Sequence, residues 1–172
     1  MLLDRIAGAL GVRQSLRPWT LAEVSPAAGL SPAGLIKRFG SRKAILLALS
    51  RRWLRDIPKG PLGQVPPREE LDEWAHRRFG RAGARGVAQG LIQLVDDLMD
   101  DELRVLLEEG WAREQEYVAT LLRACELKRL SDPGRGAILL FDALNGAMLR
   151  QAVASDTDFV QETLDSLWEI WT

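Results

Sequence analysis

Apolar positions recur along this chain at spacings of three and four residues, and no stretch shows the alternation of a half-buried strand. The first run, residues 2–10, brings Leu3, Ile6, Ala7 and Leu10 onto one face of a short helix. A longer stretch, residues 20–49, reads TLAEVSPAAGLSPAGLIKRFGSRKAILLAL. Two short helical patterns meet in it at Ala28-Gly29-Leu30. Ser31 follows as an N-cap, with Pro32 at the first helical position, where a missing N–H costs nothing. The second of these helices, residues 32–39, turns Leu35 and Phe39 inward at i,i+4 and leaves Ala33, Gly34, Ile36, Lys37 and Arg38 facing out. Pro26 lies inside the first, where it removes a donor and crowds the carbonyl of Ala22, so that helix is expected to be short or kinked. A further helix starts at Ser41 and runs towards Ile57, with Ile45, Leu46, Leu49 and Trp53 inward and Arg51, Arg52 and Arg55 in its later turns.

Residues 58–67 cannot continue a helix, because four prolines and two glycines fall within them, and the pattern predicts a domain boundary there. Beyond it every long stretch again has helical period. Residues 68–79 align Leu71, Trp74, Ala75 and Phe79, and Gly80, Gly83 and Gly86 loosen the connection that follows. Residues 86–99 carry Val87, Leu91, Leu94, Val95 and Leu98, and residues 101–126 carry Leu103, Leu107, Trp111, Val118, Leu121 and Cys125. Asp132-Pro133 opens a helix to about residue 154, and residues 156–158 cap a last one that holds Leu164, Leu167, Trp168 and Trp171. The expected fold class is all-α, with domains at 1–57 and 58–172.

Composition sharpens this picture at a few points. With 172 residues and 47% hydrophobic content the chain can bury a real core. No apolar run reaches bilayer length, and the first residues lack the pattern of a signal peptide, so a cytoplasmic protein with no membrane partner is expected. A single Cys125 and a single His76 supply no metal-ligand spacing. The net charge of −1 conceals an asymmetry: residues 1–57 hold 10 Lys+Arg against 3 Asp+Glu, and residues 58–172 hold 13 against 21. A basic first third joined to an acidic remainder fits a nucleic-acid reader with a separate regulatory body. Arg42 and Lys43 in the first turn of the helix from Ser41 oppose its dipole and so suggest an anionic partner, phosphate being the obvious one.

The paired short helices are a helix-turn-helix signature, and residues 20–49 resemble the TetR family of transcriptional regulators. The family pattern is met by Thr20, Ala28-Gly29-Leu30-Ser31, Leu35-Ile36, Phe39, Ser41-Arg42 and Ile45-Leu46 without a gap, over about the first third of the chain. Ile36 stands where the family usually has a tyrosine that touches a phosphate, so that contact is not expected. The resemblance implies a homodimer that reads a pseudo-palindromic double-stranded operator, with repression relieved by a small molecule. The expected DNA-facing set is Thr20, Ser31, Pro32, Ala33, Gly34, Ile36, Lys37, Arg38, Arg42 and Lys43: Lys37 and Arg38 at the major groove, Thr20, Arg42 and Lys43 on phosphates. It also implies a dimer interface from the last two helices, with Leu140, Leu144, Leu164, Leu167 and Trp168 as candidates. The helix from Pro133 carries two apolar stripes, one through Ile138, Phe141 and Met148 and the other through Ala137, Leu140, Leu144 and Ala147. A monomer would expose one of them.

Glu114 and Asn145 interrupt apolar stripes, and a polar group on an apolar face needs a partner. An internal hydrogen bond or an exposed edge would satisfy each. The sharper expectation is an apolar effector site bordered by Trp74, Trp111, Tyr117, Phe141, Asn145 and Met148, with Glu114 as its charge. Catalytic chemistry finds less support. Residues 96–102, DDLMDDE, could hold magnesium as in helical isoprenoid synthases, which makes a small magnesium-dependent enzyme the alternative from another class. No second acidic motif follows, and a helix break at 99–101 lets Asp100 or Asp101 serve as an N-cap instead. The glycines at 80, 83, 86 and 90 have the wrong spacing for a dinucleotide loop, and His76 has no triad partners in sequence. No cofactor is implied. A helical adaptor that no longer reads DNA is the third reading.

Overall fold

The computed structural model describes residues 1–12, 17–80, 84–153 and 158–172, with backbone alone at 84, 85 and 152. Among the described residues every regular element is an α-helix: α1 Leu2–Gly11, α2 Leu21–Ala28, α3 Pro32–Phe39, α4 Arg42–Asp56, α5 Pro67–Phe79, α6 Ala84–Leu98, α7 Asp101–Ala124, α8 Pro133–Val153 and α9 Phe159–Trp171. Gly83 of the expected glycine connection and residues 154–157 of the expected α8 end and α9 cap lie outside the described residues. Asp158, the last of the expected cap, accepts a hydrogen bond from Gln161 N at 3.3 Å.

The chain divides into two compact units, one of Met1–Asp56 with Ala88–Glu109, the other of Ile57–Val87 with Gly110–Thr172. The first is therefore discontinuous in sequence: the acidic segment around the α6–α7 turn groups with the basic N-terminal helices.

Local chemistry sets each junction in the first unit. Thr20 and Glu23 form a reciprocal capping box at α2: the Thr20 N–H donates to Glu23 Oε2 at 2.6 Å, and Glu23 N donates to Thr20 Oγ1 at 3.4 Å. α2 holds eight residues with Pro26 inside it and stops at Gly29, whose φ of 66° is the left-handed region that suits glycine. Ser31 Oγ caps α3 by accepting from Gly34 N at 3.1 Å. Gly40, at φ 88°, closes α3, and Ser41 Oγ then caps α4 through Ala44 N at 3.0 Å.

Ile6, Trp19, Val24, Ala28, Leu35 and Ile45 form the core of this unit, with Phe39, Leu46 and Leu49 half-buried against it. The α1 face is rotated from expectation. Leu2, Ile6, Ala9 and Leu10 point inward, whereas Ala7 is exposed. The two sets differ by a fraction of a turn, which spacing over ten residues cannot resolve. α4 also buries Leu47 and Leu54, outside the expected stripe. On α6, Val95 and Leu98 were expected inward and are exposed, together with Ile92, as is Met99 just after the helix.

The second unit is built on α5, the later part of α7, α8 and α9, around one core that includes Leu71, Trp74, Ala75 and Phe79 as the sequence predicts. The rings of Trp74, Phe79 and Phe141 lie 5.7 to 5.9 Å apart, two of the three pairs edge-on. Buried Gly136 lets α8 close on the α7–α8 connection: a Cβ there would come within 2.9 Å of a Leu130 methyl.

Candidate nucleic-acid interface

α3 presents one face to solvent because the other is committed. Leu35 is fully buried and Phe39 half-buried, which turns Ala33, Ile36, Lys37 and Arg38 outward. Ser31, Pro32 and Thr20 are likewise exposed, and Gly34 is half-buried beside the Ser31 hydroxyl that caps it. Ile36, 42% exposed, is an apolar side chain in the middle of this polar face. Seven of the ten expected residues are thus exposed and Gly34 is half-buried, with the cations Lys37 and Arg38 in the last turn of α3.

The remaining two, Arg42 and Lys43, are differently disposed. Arg42 lays its guanidinium over the buried Trp19 ring at 4.9 Å, with Nε and Nη2 shut from solvent. Lys43 Nζ lies 2.8 Å from Asp100 Oδ2 and 2.8 Å from Glu102 Oε1. The Asp100 and Glu102 carboxylates push the Lys43 ammonium above its usual range, and Lys43 in turn holds the Asp100 carboxyl below its own. Asp100 also caps α7, accepting from Glu102 N at 3.1 Å and Leu103 N at 3.2 Å. Of the other acids in this run, Asp101 pairs with Arg104 at 3.0 Å, and Asp97 accepts from the Gln93 amide at 2.8 Å. Burial pushes the Asp97 carboxyl upward. Asp100, Asp101 and Glu102 are thus engaged in capping and ion pairing, and among the described residues no cluster of His, Cys, Asp and Glu could hold a metal ion.

The expected effector set sits in the second unit, and several of its members are engaged with one another or with nearby groups. Trp74 and Phe141, two of its walls, are packed on each other and on Phe79. Glu114 is buried and accepts a hydrogen bond from Arg78 Nε at 3.2 Å, a partner 36 positions away that no local pattern signals. The Tyr117 hydroxyl donates to Glu70 Oε1 at 2.6 Å, and both Glu70 oxygens accept from Leu62 N at 2.9 and 3.1 Å. Asn145 returns its amide to Phe141 O at 2.8 Å. Trp111 and Met148 are half-buried at the rim of the same core. Internal hydrogen bonds therefore account for the polar interruptions.

The expected dimer residues need correction as well. Leu140, Leu144, Leu164, Leu167 and Trp168 are all buried in the core of the second unit, because α8 and α9 turn these faces towards α5 and each other. What α8 leaves exposed is Ile138, Leu139, Leu149 and Val153, and α9 leaves Ile170. Phe141, assigned from sequence to the same stripe as Ile138, lies inside.

No family model and no curated protein sequence matches the chain. Solved structures do. The reduced form of NemR from E. coli superposes with a TM-score of 0.73 at 15% identity, covering 99% of this chain and 96% of that one. A Rhodococcus protein assigned to the TetR family of transcriptional regulators gives 0.68 at 19%, covering 99% and 96%. The chain has the TetR-family fold. A transcriptional regulator from Saccharomonospora viridis, solved in complex with choline, gives 0.68 at 17%, covering 97% and 93%. The TetR fold extends over nearly the whole chain, body included, although the sequence motif covers only its first third. Among the described residues no helix is long and apolar enough to cross a membrane.

Proposed function

We propose that the protein is a cytoplasmic, DNA-binding transcriptional regulator that acts as a homodimer on a pseudo-palindromic operator, with residues 1–57 as the reader and residues 58–172 as the effector and dimerisation body. The observation that carries this is the outward face of α3: Ala33, Ile36, Lys37 and Arg38 stand free of the core on a helix capped by Ser31 and backed by Leu35, in a chain with the TetR fold. Such a helix can enter the major groove, its small residues permitting close approach and its cations reaching base edges or phosphates. Replacing Lys37 by Ala changes sequence preference, and replacing Arg38 by Ala weakens binding. Selection of bound fragments from sheared genomic DNA, followed by mobility shifts on the enriched fragment, tests this. Unchanged preference and affinity in both variants would refute the placement.

The dimer surface is the outer face of α8 and α9, through Leu139, Leu149, Val153 and Ile170, not the inner leucines. These positions are exposed apolar side chains that a second copy would cover by twofold contact. Sedimentation separates the two faces. Leu149→Glu gives a folded monomer, whereas Leu144→Glu unfolds the second unit.

Repression is released by a small, largely apolar effector. A regulator of this fold solved with choline supports a small-molecule role, and the residues assigned to it are the half-buried Trp111, Asn145 and Met148, with Glu114 as the charge. Tryptophan emission titrated with candidate compounds, repeated on Glu114→Gln, tests this independently of DNA binding.

A further inference from the structure

Two cations in the first turn of α4 oppose the helix dipole, so an anion is needed near them. In the free protein the chain supplies it. Asp100 and Glu102 each approach Lys43 Nζ to 2.8 Å, within the same compact unit as α4. Asp100 is fixed in place by its capping bonds to Glu102 N and Leu103 N. Lys43 keeps 43% of its side-chain surface, so water and solutes reach the pair.

The charge balance of the unit points the same way. Met1–Asp56 holds ten basic and three acidic residues, and Ala88–Glu109 adds one basic and seven acidic, so the folded unit carries eleven basic and ten acidic residues. The positive excess of seven that would draw a polyanion to the N-terminal helices is reduced to one by the segment that folds with them.

We infer that the α6–α7 turn is an intramolecular phosphate mimic: Asp100 and Glu102 occupy Lys43 in the free protein, and a DNA phosphate must displace them to be bound there. This rests on the reading of the chain as a DNA-binding regulator. The device restrains affinity for DNA of any sequence while leaving the α3 face untouched. It also alters the salt dependence of binding. A lysine that neutralises a phosphate releases about 0.9 of a counterion. Carboxylates set free at the same moment take up cations, so in the wild type Lys43 adds nothing net.

The test is fluorescence anisotropy of a short labelled duplex of mixed sequence, titrated with the full chain between about 50 and 200 mM salt. Asp100→Asn/Glu102→Gln removes the mimic, and asparagine caps a helix as well as aspartate does, so α7 keeps its start. This double variant binds more tightly than wild type at low salt. Its plot of log affinity against log salt is steeper by about 0.9, an extra loss of about threefold over that salt range. Adding Lys43→Gln returns both affinity and slope to the wild-type values, whereas Lys43→Gln alone changes neither. Asp96→Asn/Glu108→Gln, with the same change in net charge, controls for long-range attraction, and any gain it shows is not reversed by Lys43→Gln. A double variant with the wild-type slope, or one whose gain survives Lys43→Gln, overturns the inference and leaves the proposed function standing. If wild type and all variants fail to bind both this duplex and the selected genomic fragments, the proposed function falls and the inference with it.

Discussion

The two compact units handle carboxylates in opposite ways. In the second, Glu70 and Glu114 are 3% and 4% exposed, and each is held by a donor from a distant part of the chain, the Tyr117 hydroxyl and the Arg78 guanidinium. In the first, Asp100 and Glu102 meet Lys43 where water still reaches all three. A buried carboxylate that loses its donor suffers the full penalty of desolvation, so its partner is effectively permanent. An accessible one exchanges its partner for water or a competing ion at little cost. The same side-chain chemistry is therefore structural in one unit and exchangeable in the other.

The aromatic centre of the second unit gives the largest expected effect. Phe141→Ala empties one side of the triad with Trp74 and Phe79 and costs about 3–5 kcal/mol in denaturant unfolding followed by tryptophan emission. A loss below about 1 kcal/mol would mean that this core is looser than its ring contacts imply. Tyr117→Phe comes next. It strips the buried Glu70 of its side-chain donor and leaves it the Leu62 amide alone, lowering stability by about 1–3 kcal/mol at neutral pH. If Asp100→Asn destabilises the protein as much as Tyr117→Phe does, the contrast between the units collapses.

Acid and alkali sharpen the contrast further. Burial first, and then Glu70, push the Tyr117 hydroxyl well above its ordinary range. Its stabilising effect is therefore complete below the ordinary tyrosine pKa of about 10 and is lost as pH rises towards the raised folded value. Unfolding curves should show stability falling above about pH 10 in the wild type, and a shallower fall in Tyr117→Phe. Asp100 behaves in the opposite sense. Lys43 depresses its carboxyl, so that contribution is present above the ordinary aspartate pKa of about 3.9 and disappears as pH falls through the lowered folded value. The smallest effect is the most local one. In a carboxyl-carbon NMR titration, Lys43→Gln moves the Asp100 midpoint up towards the ordinary value while the fold is retained, and an unmoved midpoint would show that the ion pair is not populated in solution.

Elements whose signals are local were legible from the residues. The junctions at Thr20, Gly29, Ser31 and Ser41 each depend on a side chain or a glycine acting within a few residues, and the reader helix follows from them. The α5 stripe Leu71, Trp74, Ala75 and Phe79 was equally clear, because charged residues crowd its opposite face. α8 was not, since apolar residues surround it and periodicity cannot say which of two faces meets the core of the second unit. The assignment of Leu140 and Leu144 to a dimer surface failed for that reason.

The helical class, the helix-turn-helix and the outward residues of α3 were thus determined by sequence alone, through hydrogen bonds and spacings that span a turn or two. Partners brought together across many residues were decided only by tertiary structure: Arg78 for Glu114, Glu70 for Tyr117, and Asp100 and Glu102 for Lys43. So was the near-balance of charge in the first unit, because a linear count of charge stops at the prolines after α4, whereas the fold carries the acidic Ala88–Glu109 segment back to the basic helices. Coulombic pairing depends on separation in space, and separation along the chain says almost nothing about that once a loop has been crossed.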